Sequence, residues 1–114
     1  MIETTKFAQE ILYCHNLARA KYGNVPPLSL DESLNTLSQH YAEQLAYYDQ
    51  GLVHNTDRHD TGENLYSMTN MKPTAKNVLN SWVNYEVNMF DFENGGFSSQ
   101  TGHFTQVFLH FIDD

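Results

Sequence analysis

His103-Phe104-Thr105-Gln106-Val107-Phe108-Leu109-His110-Phe111-Ile112 is the stretch on which the fold class turns. Aromatic and β-branched residues fill it, and that composition reads as a β-strand. A shorter strand is expected over 63–68, where Leu65 and Met68 are apolar. With helical patterns upstream, these strands give an α+β fold or a layered α/β/α sandwich.

Working back from that stretch, 90–101 is loop-like, and Asn94-Gly95-Gly96 is its sharpest turn. Thr74 follows Pro73 and is placed to cap a third helix reaching about Met89, with Val78, Trp82, Tyr85 and Met89 on its inner face. The segment 52–62 is polar and reads as a loop. Ser29 and Glu32 have capping-box spacing for a second helix ending near Tyr48. Leu34, Leu37, Tyr41, Leu45 and Tyr48 are its expected buried stripe, and Asp49-Gln50-Gly51 ends it. The first helix runs from about Glu3 to Tyr22, with Phe7, Ile11, Cys14, Ala18 and Tyr22 recurring every three or four residues. Gly23-Asn24 and Pro26-Pro27 stop it.

The 114 residues suit one domain, spanning 1–114, without repeats or linkers. Fourteen acidic and six basic side chains leave a net charge of −8. That charge disfavours nucleic acid and anionic membrane surfaces as partners. Apolar residues at 40% and charged residues at 18% fit a globular chain rather than an acidic tail. The lone cysteine, Cys14, lies on the core stripe of the first helix and permits no internal disulfide. No signal peptide or membrane span is visible, and Ile2 lacks the glycine that myristoylation needs. The expected location is therefore cytoplasmic, or extracellular if an N-terminal exon precedes this frame.

Six histidines occur, and none has zinc-finger, His-Glu-x-x-His or calcium-loop spacing. Two have local context. His54 follows a helix end and precedes Gly62-Glu63-Asn64, and His103 follows Gly102. Glu86 lies four residues after Trp82 and so shares its inward helix face. A carboxylate buried there needs a partner, either a histidine or a metal.

These residues fall into motifs that resemble the CAP superfamily of cysteine-rich secretory, antigen-5 and pathogenesis-related proteins. His15-Asn16-Leu17-Ala18-Arg19 resembles its His-Asn-x-x-Arg, and Pro26-Pro27-Leu28-Ser29-Leu30 its Pro-Pro-Leu-x-Leu. Tyr41-Ala42-Glu43-Gln44-Leu45-Ala46, Gly62-Glu63-Asn64-Leu65-Tyr66 and Trp82-x-x-x-Glu86 follow in the family's order. Phe97-Ser98 and Thr101-Gly102-His103-Phe104-Thr105-Gln106 complete the series. The Golgi-associated branch, poor in disulfides, is the nearest in kind, and that resemblance adds a place peripheral to Golgi membranes.

The resemblance implies a CAP-type α/β/α sandwich with three helices and a short, incomplete antiparallel sheet. It also implies a cleft tetrad of His54, Glu63, Glu86 and His103. Within that tetrad, His54 and His103 would bind zinc or another divalent cation, and the carboxylates would orient them. The function it implies is a binding module for a lipid, a sterol or a protein partner, with a homodimer as one such partner. A metal-dependent hydrolase using Glu63 or Glu86 as general base is the alternative, and no enzyme activity the better expectation. Two departures stand out. Phe108-Leu109 replaces the family's aliphatic–tryptophan pair, and the chain stops at Asp114, before the further strands of the family pattern. An unpaired apolar edge at 107–112 would leave the chain marginal or paired with another.

Overall fold

A computed structural model describes residues 5–23 and 25–109. Helix α1 spans Lys6–Tyr22, α2 Glu32–Tyr48, α3 Ala75–Leu79 and α4 Gly102–Val107. No β-strand occurs among the described residues, so the α+β sandwich expectation is corrected to a mostly helical fold. None of the helices is long and apolar enough to cross a membrane.

The first two helices begin and end where capping chemistry places them. The Thr5 side chain accepts from the Ala8 N–H to open α1, and Gly23 closes it with its own N–H on the Arg19 carbonyl. Helix α2 is capped by Asp31, which accepts from the Leu34 N–H; Ser29 has no such role. Asp49 ends α2 in the left-handed conformation at φ 51°, which a short polar side chain tolerates.

Helix α3 opens on a full capping box, with Thr74 and Asn77 bonding each other's backbone N–H. It does not continue regularly to Met89. The turn Asn80–Asn84 widens, so that Tyr85 N–H donates to the Asn80 carbonyl, and a tight turn follows at Val87–Met89. A one-turn widening of this kind rotates what comes after it. Here it leaves Val83 and Glu86 buried and Tyr85, expected to face inward, at 74% exposed.

The stretch 103–112 is where the reading from sequence alone fails. Gly102–Val107 is helical, Phe108 and Leu109 lie beyond its end, and 110–112 fall outside the described residues. Three interactions favour the helix. Phe104 and Val107, three apart, both enter the core, a spacing only a helix brings to one face. The Phe104 N–H, an orphan donor in the helix's first turn, donates to Glu86 Oε1 at 2.9 Å. At the other end the buried Arg19 guanidinium donates to the carbonyls of Val107 (2.8 Å) and Leu109 (3.0 Å). Strand preference is a preference for a pleated neighbour, and no such neighbour faces this segment among the described residues. The 63–68 segment is likewise not a strand, and single side chains pin it. Asn64 Nδ2 donates to the His103 carbonyl at 3.1 Å, and Trp82 Nε1 to the Leu65 carbonyl at 3.0 Å.

The core is small: Val78, Leu79, Val83, Phe104 and Val107 are buried, with Ile11, Cys14, Ala18, Tyr22 and Trp82 packed against them. Burying each such aliphatic or aromatic side chain stabilises by about 1.5–3 kcal/mol. Helix α2 contributes no buried residue, and its expected stripe is half-open, with Leu34 43% and Tyr48 65% exposed. The helix is held off the core, tied by the Tyr41 hydroxyl to the Val53 carbonyl.

Candidate functional site

Two imidazole–carboxylate pairs are built from the four candidate residues. In the first, His103 on α4 meets Glu86 just past the widened turn, with Nδ1 2.6 Å from Oε2. The side chain of Glu86 is only 8% exposed, and its second oxygen takes the Phe104 N–H. The buried carboxylate thus has the partner that its place on the Trp82 face required. In the second pair, His54 Nδ1 lies 2.8 Å from Glu63 Oε1. The same oxygen accepts from the Asn55 N–H at 3.0 Å and from Arg58 Nη1 at 3.3 Å. His54 is largely exposed, whereas Glu63 is mostly covered.

The pairs sit on adjoining segments. Asn64, next to Glu63, bonds the carbonyl of His103 itself, and Gly62 lies under the Gln106 side chain. A Cβ on Gly62 would fall 2.0 Å from Gln106 Nε2, so a side chain there must push that amide away. Among the described residues, no three of His, Cys, Asp and Glu gather as one cage for an ion.

A carboxylate only accepts, so in each neutral imidazole Nδ1 carries the hydrogen and Nε2 keeps its lone pair. Each histidine is therefore oriented by a carboxylate on one nitrogen and left with a donor atom on the other. That is the second-layer arrangement found behind metal-ligating histidines.

Aromatic contacts complete the His103 side. The Trp82 ring stacks on His103 at 6.2 Å and 14°, and His15 from α1 meets Trp82 edge-on at 6.0 Å. His15 Nδ1 donates to the Ile11 carbonyl at 2.8 Å. Burial, helped by the nearby Arg19 charge, holds the His15 pKa below the usual 6.5.

Two residues of this neighbourhood escape a reading by local pattern. Arg58 reaches Glu63 from five positions away in a polar loop, where no periodicity marks it. Arg19 also donates through Nε to the Pro26 carbonyl at 2.8 Å, which clips α1, the following loop and α4 together. Two of its three acceptors, the carbonyls of Val107 and Leu109, lie far along the chain, and no residue type announces them.

Comparison with known proteins gives the family. The family model described as the cysteine-rich secretory protein family, CAP, matches residues 12–109. The human Golgi-associated plant pathogenesis-related protein 1 is 40% identical over 104 residues, covering 90% of this chain and 65% of that protein. Protein PRY2 of Saccharomyces cerevisiae is 34% identical over 106 residues, covering 89% and 28%. A pathogenesis-related protein of PR-1 type from Sambucus nigra is 34% identical over 103 residues, covering 87% and 58%. The chain therefore spans less than two thirds of the length of each of these relatives. With the family model matched over most of its length, this chain belongs to the CAP family of cysteine-rich secretory proteins.

Proposed function

We propose that this chain is a CAP-domain binding module in which His54 and His103 hold a divalent cation such as zinc, oriented by Glu63 and Glu86. The observation that carries this reading is the shared orientation of the two imidazoles, each bonded to a carboxylate through Nδ1 and left with Nε2 as a ligand atom. Neutral imidazole suits zinc, and two protein nitrogens leave the remaining positions to water or to a ligand. Both carboxylates already serve their histidines, and Glu86 has both oxygens engaged, which is the bonding of an orienting group.

The test is titration of the metal-free protein with zinc or cobalt, followed by calorimetry and by Trp82 emission, since Trp82 stacks on His103. Saturable binding lost in both His54→Ala and His103→Ala is the expected result. Glu86→Gln weakens affinity by about 10–100-fold, the usual cost of removing an orienting partner. Binding unchanged in both histidine variants overturns the reading.

The larger partner in this proposal is a lipid or sterol, or a protein such as a second copy of the chain. Support comes from apolar side chains left in the open, among them Tyr47, Phe97 and Tyr85. Saturable competition by unlabelled lipid in an exchange assay supports the lipid arm, and linear uptake rejects it. Likeness to a human protein named as Golgi-associated supports a peripheral Golgi location, which fractionation with Golgi membranes would test.

A further inference from the structure

The loop 90–97 carries a second piece of chemistry that has nothing to do with the histidines. Asn94 is followed by Gly95, the pairing in which a side-chain amide is most open to attack by the next backbone nitrogen, because glycine adds no Cβ to block the approach. Both residues are exposed, and Gly95 and Gly96 turn the chain at φ 66° and 87°. We propose that Asn94–Gly95 is a self-modification site, where the chain cyclises to a succinimide and opens to aspartate or isoaspartate, and that Asp91 guards it.

The step balances within the chain and water. The Gly95 nitrogen, losing its hydrogen, bonds to Asn94 Cγ; the Cγ–Nδ2 bond breaks, and Nδ2 leaves as ammonia with that hydrogen. Water then adds to one of the two ring carbonyls and opens the ring. Nothing is oxidised or reduced.

Asp91 holds both reacting groups. Its backbone carbonyl takes the Gly95 N–H at 2.7 Å, so the nucleophile's hydrogen is engaged and that bond must break before the nitrogen can attack. Its Oδ2 accepts from Asn94 Nδ2 at 2.8 Å, which pins the leaving group on the turn. Its Oδ1 accepts from the N–H groups of Glu93 (3.0 Å) and Asn94 (3.1 Å). The Asn94 and Glu93 bonds hold the Asp91 carboxyl below its usual range.

Modification here would reach α4. Phe92 meets Phe104 edge-on at 6.0 Å, and the Phe97 ring lies beside Gly102. Isoaspartate routes the backbone through the side-chain carbonyl and lengthens the turn between these two buttresses by one carbon. Aspartate keeps the chain length but places a new negative charge beside Asp91.

The experiment incubates the full-length chain in heavy-oxygen water at mildly alkaline pH, folded and unfolded in urea, and follows Asn94 by peptide mass mapping with an isoaspartate assay. Asp91→Ala and Asp91→Asn are run beside it, the second keeping an oxygen acceptor in the turn. The expected order of rates is folded wild type slowest, Asp91→Asn several-fold faster, Asp91→Ala faster again, and the unfolded chain fastest, because the residue 91 backbone carbonyl still holds the Gly95 N–H in both folded variants. Equal rates in the folded wild type and Asp91→Ala overturn the guard. Absence of heavy oxygen at residue 94 in the unfolded chain overturns the site itself.

Discussion

Glu86 shows how a single residue can be read correctly in advance. Its place four residues after Trp82 put a carboxylate on an inward face, and burial without a partner is costly. His103 is that partner. Arg19 shows the opposite. Its buried guanidinium serves three carbonyls, and loss of the side chain strands them. Arg19→Ala therefore destabilises by about 3 kcal/mol, because each unpaired buried acceptor costs about 1–3 kcal/mol. Arg19→Lys recovers only part of this, since an ammonium lacks the fork that spans acceptors in different directions. Urea denaturation of both variants checks the order. His15 sets a pH dependence. Its folded pKa lies below the unfolded 6.5, so its contribution is complete above that pH. As pH falls, the unfolded chain takes up the proton first, and that stability is lost toward the folded pKa. Urea midpoints measured above and below pH 6.5 should fall more in wild type than in His15→Gln.

At the scale of the element, the start of α3 is legible because its signal is local, Thr74 bonding Asn77 within three residues; the α1 stripe repeats every turn, yet the helix opens at Lys6 on the Thr5 cap and not at about Glu3. The same logic misplaced the cap of α2 by two residues, since Ser29 and Asp31 both precede the apolar pattern. Helix α4 was not legible. A short run of aromatic and β-branched residues fits a strand or a buried helix equally, and only its neighbours decide. Here the neighbours are Glu86 at one end and Arg19 at the other. Helical carbon chemical shifts over 102–107 are the expected signature, and strand-type shifts there would contradict it. Phe104, 3% exposed and flanked by Phe90 and Phe108, anchors this helix. Phe104→Ala is expected to cost about 3–5 kcal/mol, read as a loss of thermal stability.

Across the whole molecule, the chain exposes 8848 Å² of surface, where a folded monomer of this size shows about 6,400 Å². Leu34, Tyr47, Tyr48, Leu52 and Val53, on α2 and just after it, are among the large apolar side chains left open. Such surface favours association. The melting temperature is therefore expected to rise with protein concentration, as it does when the folded state is stabilised by pairing. A cooperative, concentration-independent melt at high temperature would count against it. The sequence by itself determined the family, the order of its motifs and the C-terminal end of α1, because each rests on residue type and short-range spacing. Only the tertiary structure decided that 102–107 is helical, that α2 stands off the core, and that the four residues join as two pairs. Those outcomes depend on which buried donor meets which acceptor across the chain, as Arg19 meets Val107 over 88 positions. No local pattern encodes a partner at that distance.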